Sequence, residues 1–367
     1  MKKTNFHSMH VEAGAKMVEF AGFEMPIQYP TGIIAEHQNV RTNVGVFDVS
    51  HMGEFEVKGE GALDFIQSIT LNDASKLEPG QAQYSAMCRT NGGIVDDLLV
   101  YYIAPNDYML VVNGANIEKD WAWVAENAAR FSTVTINNAS DEINLLAVQG
   151  PKSIDVLQKL TDVNLADIAY YHFRQGELAG VPMILSRTGY TGEIGFELYF
   201  RGDESVARRV VNSLWEVGKG AGIAWTGLGA RDSLRLEKGY CLYGNDIDET
   251  TLPHEAGLGW ITKLKKGEFN GREAIQAAKD AGLTRKLVGF VMQTEKLIPR
   301  QGYDIVANGT VIGKVTSGAR SPQLNTGIGM GYVSTEDGGQ RTEDGAEIEI
   351  AARGTTFPAN VKKPPFI

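Results

Sequence analysis

The sequence predicts an α+β protein with antiparallel sheets, flanking helices and a small β-barrel at its C-terminal end. Three observations predict it. Strand-like and helix-like segments follow one another without the strict alternation that builds a parallel sheet. Short strands joined by tight turns recur, and 42 glycines in 367 residues supply those turns. From about residue 276 onward only short strands with Gly and Asn turns are legible, the pattern of a barrel or sandwich.

The elements follow in order. "EFEVKGEGALDFIQSIT" reads as a strand, a turn and a helix with Leu63, Ile66 and Ile69 on one face. "GGIVDDLLVYYIAPNDYMLVVNGAN" reads as two strands joined by a turn at Ala104–Asp107, and "IEKDWAWVAENAARF" as an amphipathic helix. Residues from about 51 to 138 therefore form one unit on an antiparallel sheet. "LLAVQGPKSIDVLQKL" starts again with strand, turn and helix. "VPMILSRTGYTGEIGFELYF" is strand, Gly-rich turn and strand. "ESVARRVVNSLWEVG" and "ARDSLRLEKG" are helical, the second stopping at Gly239, a residue suited to the left-handed position after a helix. "KLVGFVM", "YDIVANGTVIGKVTSG", "GIGMGYV" and "AEIEIAARGTTFPANV" are the strands of the tail.

Composition narrows the function classes. Apolar residues make up 43% and charged residues 22%, as in ordinary globular proteins. The net charge of −10 argues against nucleic acid as a partner, since such binders carry a basic footprint. A local arginine cluster still suits a small anionic ligand. Cys88 and Cys241 form no CxxC and read as small buried hydrophobes, which fits a reducing compartment. "MKKTNFHSMH" lacks the apolar stretch of a secretory signal, and no run is long and apolar enough to span a bilayer. The expectation is a cytoplasmic protein without a membrane partner. The six histidines include no HExxH and no Cys/His cluster, so no metal is expected. "GIGMGY" lacks the strand–loop–helix setting of a dinucleotide loop. His51 reads as a satisfied structural histidine rather than a base. "KLKKGEF" reads as a solvated loop, with contact to an acidic partner as the alternative.

Three stretches carry possible chemistry. In "GGIVDDLLVYY" two acids, Asp96 and Asp97, interrupt a strand whose two faces both carry apolar residues. At least one is then shielded from water, where it can orient a substrate nitrogen or accept its proton. Asn113 ends the partner strand, opposite Asp97 or opposite Leu98 depending on the turn. Pattern does not choose between the acids. In "RTGYTGEIGFELYF", Glu197 shares a face with Gly195 and Tyr199. A solvent-facing glutamate is the plainer reading. The alternative is that Gly195 leaves room for a flat ring and Glu197 accepts hydrogen bonds from its amino edge. In "TGLGARDSLRLEKGYCLYGNDI", Arg231 and Arg235 stack on one helical face, where like charges repel. They call for acids nearby, either Asp232 or Glu237 or an anionic ligand.

Taken together, "RTNVGVFDVSHMGEFEV", "GGIVDDLLVYY", "VQGPKS", "RTGYTGEIGFELY", "GLGARDSLRLEKGYCLYGNDID" and "VTSGARSPQLNTGIGMGYV" closely resemble the aminomethyltransferases, the T proteins of the glycine cleavage system. The resemblance spans essentially the whole chain. It implies three domains in a clover-leaf arrangement: residues 1–51 with 139–275, residues 52–138, and a barrel at 276–367. It implies transfer of the methylene carbon of an aminomethyl group, carried on the lipoyl arm of H protein, to tetrahydrofolate. Ammonia is released, and the products are 5,10-methylenetetrahydrofolate and dihydrolipoyl H protein. No metal takes part. The catalytic carboxylate is then Asp97, with Asp96 structural. The residues implied to bind folate are Glu197, Arg231, Asn113, Tyr84, Tyr190, Tyr240 and Tyr170, with Tyr171 in place of Tyr170 after a one-residue shift. A folate-dependent demethylase of the same superfamily and a folate-binding protein without transferase activity are the competing readings.

Overall fold

The structure, a computed structural model, describes residues 1–336 and 338–367. The chain divides into two compact units, neither continuous in sequence. One comprises residues 1–67, 74–85 and 98–231, the other residues 68–73, 86–97 and 232–367.

A six-stranded sheet organises the first unit. Its order is Phe173–Leu178, Val181–Ser186, Gly195–Arg201, Ile143–Gln149, Val44–Asp48 and Ile223–Trp225. Only the last pair is parallel. The helix Glu204–Gly218 packs with this sheet. Asp203 caps the helix by accepting hydrogen bonds from the N–H groups of Ser205 and Val206. Its Val210 and Leu214 join Phe196, Leu198 and Phe200 of the sheet in one buried cluster. Each such side chain contributes roughly 1.5–3 kcal/mol on full burial.

A five-stranded sheet runs Gln81–Cys88, Ile94–Ala104, Asp107–Val112, Gly53–Lys58 and Thr135–Asn138. The hairpin turns at Ala104–Asp107 as predicted, with Asn106 in the left-handed region at φ 62°. Leu98 faces Val112, so the register that would set Asn113 opposite Leu98 is not the one adopted.

The second unit contains the barrel, closed in the order Arg285–Met292, Thr326–Ser334, Thr310–Ser321, Asp304–Ala307, Glu347–Ala352 and Thr355–Val361. Val288, Phe290, Ile305, Ile348 and Ile350 fill it. Closure leaves no open sheet edge. The expected boundary at 276 falls inside the helix Arg272–Ala281, and the first barrel strand opens at Arg285. The helix Leu228–Lys238 stops where predicted, with Gly239 at φ 71°. A Cβ there would also lie 2.2 Å from Pro364 Cβ, so any larger residue is excluded twice. Among the described residues, no helix is long and apolar enough to cross a membrane.

Candidate active site

In the first unit the strand Gly195–Arg201 is buried on both faces, and Glu197 is only 9% exposed. This overturns the plain reading of a solvent-facing glutamate. Phe196 and Leu198 face the cluster with the helix Glu204–Gly218. On the opposite face Tyr101 reaches Ser186, Thr188 and Tyr199 through its hydroxyl, at 3.0, 3.2 and 3.0 Å. Thr188 and Tyr199 in turn donate to Glu197, and both bonds fall on Oε2. Loss of water raises the Glu197 carboxyl above its usual range, while Thr188, Tyr199 and the charge of Arg231 pull it back. The expected room above Gly195 is occupied. A Cβ at that position would lie 2.5 Å from the Gln149 side-chain nitrogen. Gln149 instead braces the 188–191 turn, donating to the Thr188 carbonyl and accepting from the Thr191 hydroxyl.

The guanidinium of Arg231 lies 4.6 Å from the centre of the Tyr190 ring, a cation–π contact that brings two of the predicted residues together. Its charge also acts on His51. That ring is buried, and desolvation followed by Arg231 drives its pKa down to about 3. His51 Nδ1 has no hydrogen-bond partner, so His51 is not the satisfied structural histidine that was expected. A second group that the sequence did not single out lies in the same unit. Glu54 is fully buried, and neither of its carboxyl oxygens has a hydrogen-bond partner. Burial, and then the charge of Glu197, raise its pKa well above the ordinary value. In the sequence Glu54 stands two residues before Glu56 on the same strand face, and pattern alone does not separate them. Glu56 does reach the surface ion pair with Arg201, but Glu54 does not.

The remaining predicted residues of this unit lie on other elements. Asn113 is half-buried and stands just before the short helix Gly114–Asn116. Tyr84 is half-buried on the strand Gln81–Cys88. Tyr170 is 59% exposed, with its ring edge-on to Tyr171 at 4.7 Å. Tyr171 is half-buried and adopts φ 60°, and its carbonyl accepts from Ala82. An open groove of about 610 Å³ elsewhere in this unit, lined by Met109, Met183, Phe200 and others, includes none of the predicted site residues.

In the second unit Asp96 is fully buried and Asp97 half-buried. Asp97 lies within electrostatic reach of Cys241. Loss of solvation and then the charges of Asp246 and Asp97 hold that thiol well above its ordinary range. Tyr240 is half-buried, and its backbone is fixed by Arg235. The Arg235 Nη1 donates to the Tyr240 carbonyl at 2.8 Å, and the Tyr240 N–H donates to the Arg235 carbonyl at 3.1 Å. Arg235 is itself 1% exposed and pairs with Asp246 at 2.7 Å and with Asp232 at 2.8 Å, while Ser317 accepts a further bond. Of the two acids named for this helix, Asp232 joins the network. Glu237 instead accepts from Ser321. In the basic "KLKK" run, Lys266 is tucked inward. It donates to the carbonyls of Thr70 and Asn72, and burial pushes its pKa down to about 7. Among the described residues, no group of three or more His, Cys, Asp and Glu is placed to hold a metal ion.

Residues 6–266 match the GCVT N-terminal domain family, and residues 285–367 match the glycine cleavage T-protein C-terminal barrel domain. The chain belongs to the glycine cleavage T-protein family. Its relatives include an aminomethyltransferase of Porphyromonas gingivalis, 53% identical over all of this chain and 99% of that protein. An aminomethyltransferase of Bacteroides fragilis is 54% identical over the same shares, and one of Halothermothrix orenii is 50% identical over the full length of both. The crystal structure of the glycine cleavage system aminomethyltransferase T of Bartonella henselae superposes with a TM-score of 0.91 at 34% identity, covering 100% of this chain and 98% of that one. The T-protein family thus accounts for the α+β fold and for the closed barrel at its C-terminal end.

Proposed function

We propose that this T-protein family member is a tetrahydrofolate-dependent aminomethyltransferase. It moves the methylene carbon of the aminomethyl group on lipoyl H protein to tetrahydrofolate, releasing ammonia and yielding 5,10-methylenetetrahydrofolate and dihydrolipoyl H protein. The observation that carries this reading is full-length identity of 50–54% to aminomethyltransferases. That similarity favours neither a demethylase nor a non-catalytic folate binder.

Within this proposal, Glu197 binds the amino edge of the pterin. Its Oε1 carries neither of the two protein hydrogen bonds, so acceptor capacity is available for N–H donors. Arg231, held over Tyr190, supplies positive charge beside it. Asn113, Tyr84, Tyr170 and Tyr240 complete the folate contacts. Asp97 is the catalytic carboxylate: it positions the folate nitrogens and eases loss of a proton as N5 attacks the carbon. Asp96, on the other face of the strand, is structural. Orientation of two carriers accounts for much of the acceleration, with no covalent enzyme intermediate. H protein is the protein partner, the cytoplasm the compartment, and nucleic acid is not a partner. The division into residues 1–51 with 139–275, 52–138 and 276–367 belongs to the same proposal.

Titration calorimetry with tetrahydrofolate tests the site. The wild type binds, and Glu197→Ala binds roughly tenfold more weakly or worse while keeping its fold. Unchanged affinity would remove Glu197 from the folate site.

A further inference from the structure

Tyr101 stands at the centre of a hydrogen-bonded cluster that ends on Glu197. It has no exposed surface, so a ligand does not touch it directly. Its hydroxyl lies 3.0 Å from Ser186 Oγ, 3.2 Å from Thr188 Oγ1 and 3.0 Å from the Tyr199 hydroxyl. Thr188 and Tyr199 are the two groups that donate to Glu197 Oε2. Tyr101 is therefore in contact with both donors of that carboxylate and with Glu197 itself through neither. Its ring is held by packing, edge-on to Tyr199 at 5.5 Å and tilted on Phe173 at 5.3 Å.

Counting protons gives the cluster a direction. A hydroxyl carries one proton, and those of Thr188 and Tyr199 are spent on Glu197. The Tyr199 oxygen then accepts from Tyr101, which gives up its own proton to make that bond. Tyr101 in turn accepts from Ser186. The chain runs from Ser186 to Tyr101 to Tyr199 to Glu197, and each bond polarises the next. Both protein donors fall on Oε2, and Oε1 takes neither.

We propose that Tyr101 is a positioning residue of the folate site: by donating to Tyr199 it fixes Glu197 through Oε2 and leaves Oε1 for the N–H donors of the ring. The inference rests on the folate reading above and deepens it. Tyr101 touches no reactant, and its effect on binding passes through Glu197.

Titration calorimetry with tetrahydrofolate on four full-length proteins tests this: wild type, Tyr101→Phe, Glu197→Ala and the double variant. Tyr101→Phe removes one hydroxyl and leaves the ring. In the wild-type background it is expected to weaken binding roughly three- to tenfold, the worth of one hydrogen bond. In the Glu197→Ala background it is expected to change affinity by less than about twofold, since the carboxylate through which it acts is gone. Affinity of Tyr101→Phe within about twofold of wild type would overturn the proposal. So would an equal loss in both backgrounds, the additive result of a residue that only supports the fold. Failure of the wild type to bind, or wild-type affinity in Glu197→Ala, would instead refute the folate reading itself, and the proposal with it. Should Tyr101→Phe not fold, Tyr199→Phe in the same two backgrounds gives the second reading, because it cuts the chain between Tyr101 and Glu197. The same pattern is expected of it, and equal losses in both backgrounds, or none in either, would overturn the proposal equally.

Discussion

Arg231 and Arg235 are one helical turn apart in sequence and of one residue type, yet their surroundings differ in kind. Arg235 is 1% exposed and saturated: Asp246, Asp232, Ser317 and the Tyr240 carbonyl all take its protons. Arg231 is half-buried and lies over the Tyr190 ring, lending charge to Glu197 and His51. A helical pattern places both on one face and expects the same partners for each. What separates them is the loop after the helix, whose Asp246 folds back onto Arg235 and commits it to structure.

The contrast yields predictions that would break or sharpen it. The largest effect is expected of Arg235→Met. It leaves Asp246 buried without its cation and should cost about 3–5 kcal/mol of unfolding free energy in a denaturant titration. A loss under 1 kcal/mol would show that the ion pair does not hold the Tyr240 loop. Arg231→Met should lose less stability than Arg235→Met, because Arg231 is half-buried whereas Arg235 is 1% exposed and paired with a buried acid. Its tetrahydrofolate binding should weaken by about 1.5–3 kcal/mol, the usual worth of a charged hydrogen bond. If the two variants exchanged these outcomes, the assignment of the arginines would be reversed.

The smallest effect concerns His51, which Arg231 helps to keep neutral. Its folded pKa, near 3, lies below the ordinary 6.5. The unfolded chain therefore binds the proton first, and the stability that His51 contributes is present above pH 6.5 and lost as pH falls toward 3. Between pH 6.5 and 5.5 this amounts to about 1 kcal/mol. Melting curves of His51→Asn across that interval should be flatter than those of wild type by this amount. Parallel curves would mean that the histidine gains a proton in the folded state.

Much of the fold was legible because it depends on local signals. The Ala104–Asp107 turn, the stop at Gly239 and the run of short tail strands all stood where Gly, Asn and strand periodicity put them. The site was less legible, since its character comes from residues distant in sequence. Alternation along "GFELYF" cannot show that Tyr101, about a hundred positions earlier, covers the face bearing Glu197. Nor can it show that Gln149 fills the space over Gly195. Glu54 was missed for the same reason: in "HMGEFEV" it is indistinguishable from Glu56, which meets Arg201 at the surface. One signal was available and unused. Tyr199 lies two residues beyond Glu197 on the same face, and a tyrosine there is a natural donor to a buried carboxylate.

The measurement that tests the central claim most directly is the formation of 5,10-methylenetetrahydrofolate from aminomethyl-loaded H protein and tetrahydrofolate, with wild type and Asp97→Asn compared side by side. The wild type should turn over, and the variant should fold and bind folate yet lose at least about a hundredfold in rate. Equal rates would deny Asp97 its role, and a wild type that forms no product would contradict the proposed activity.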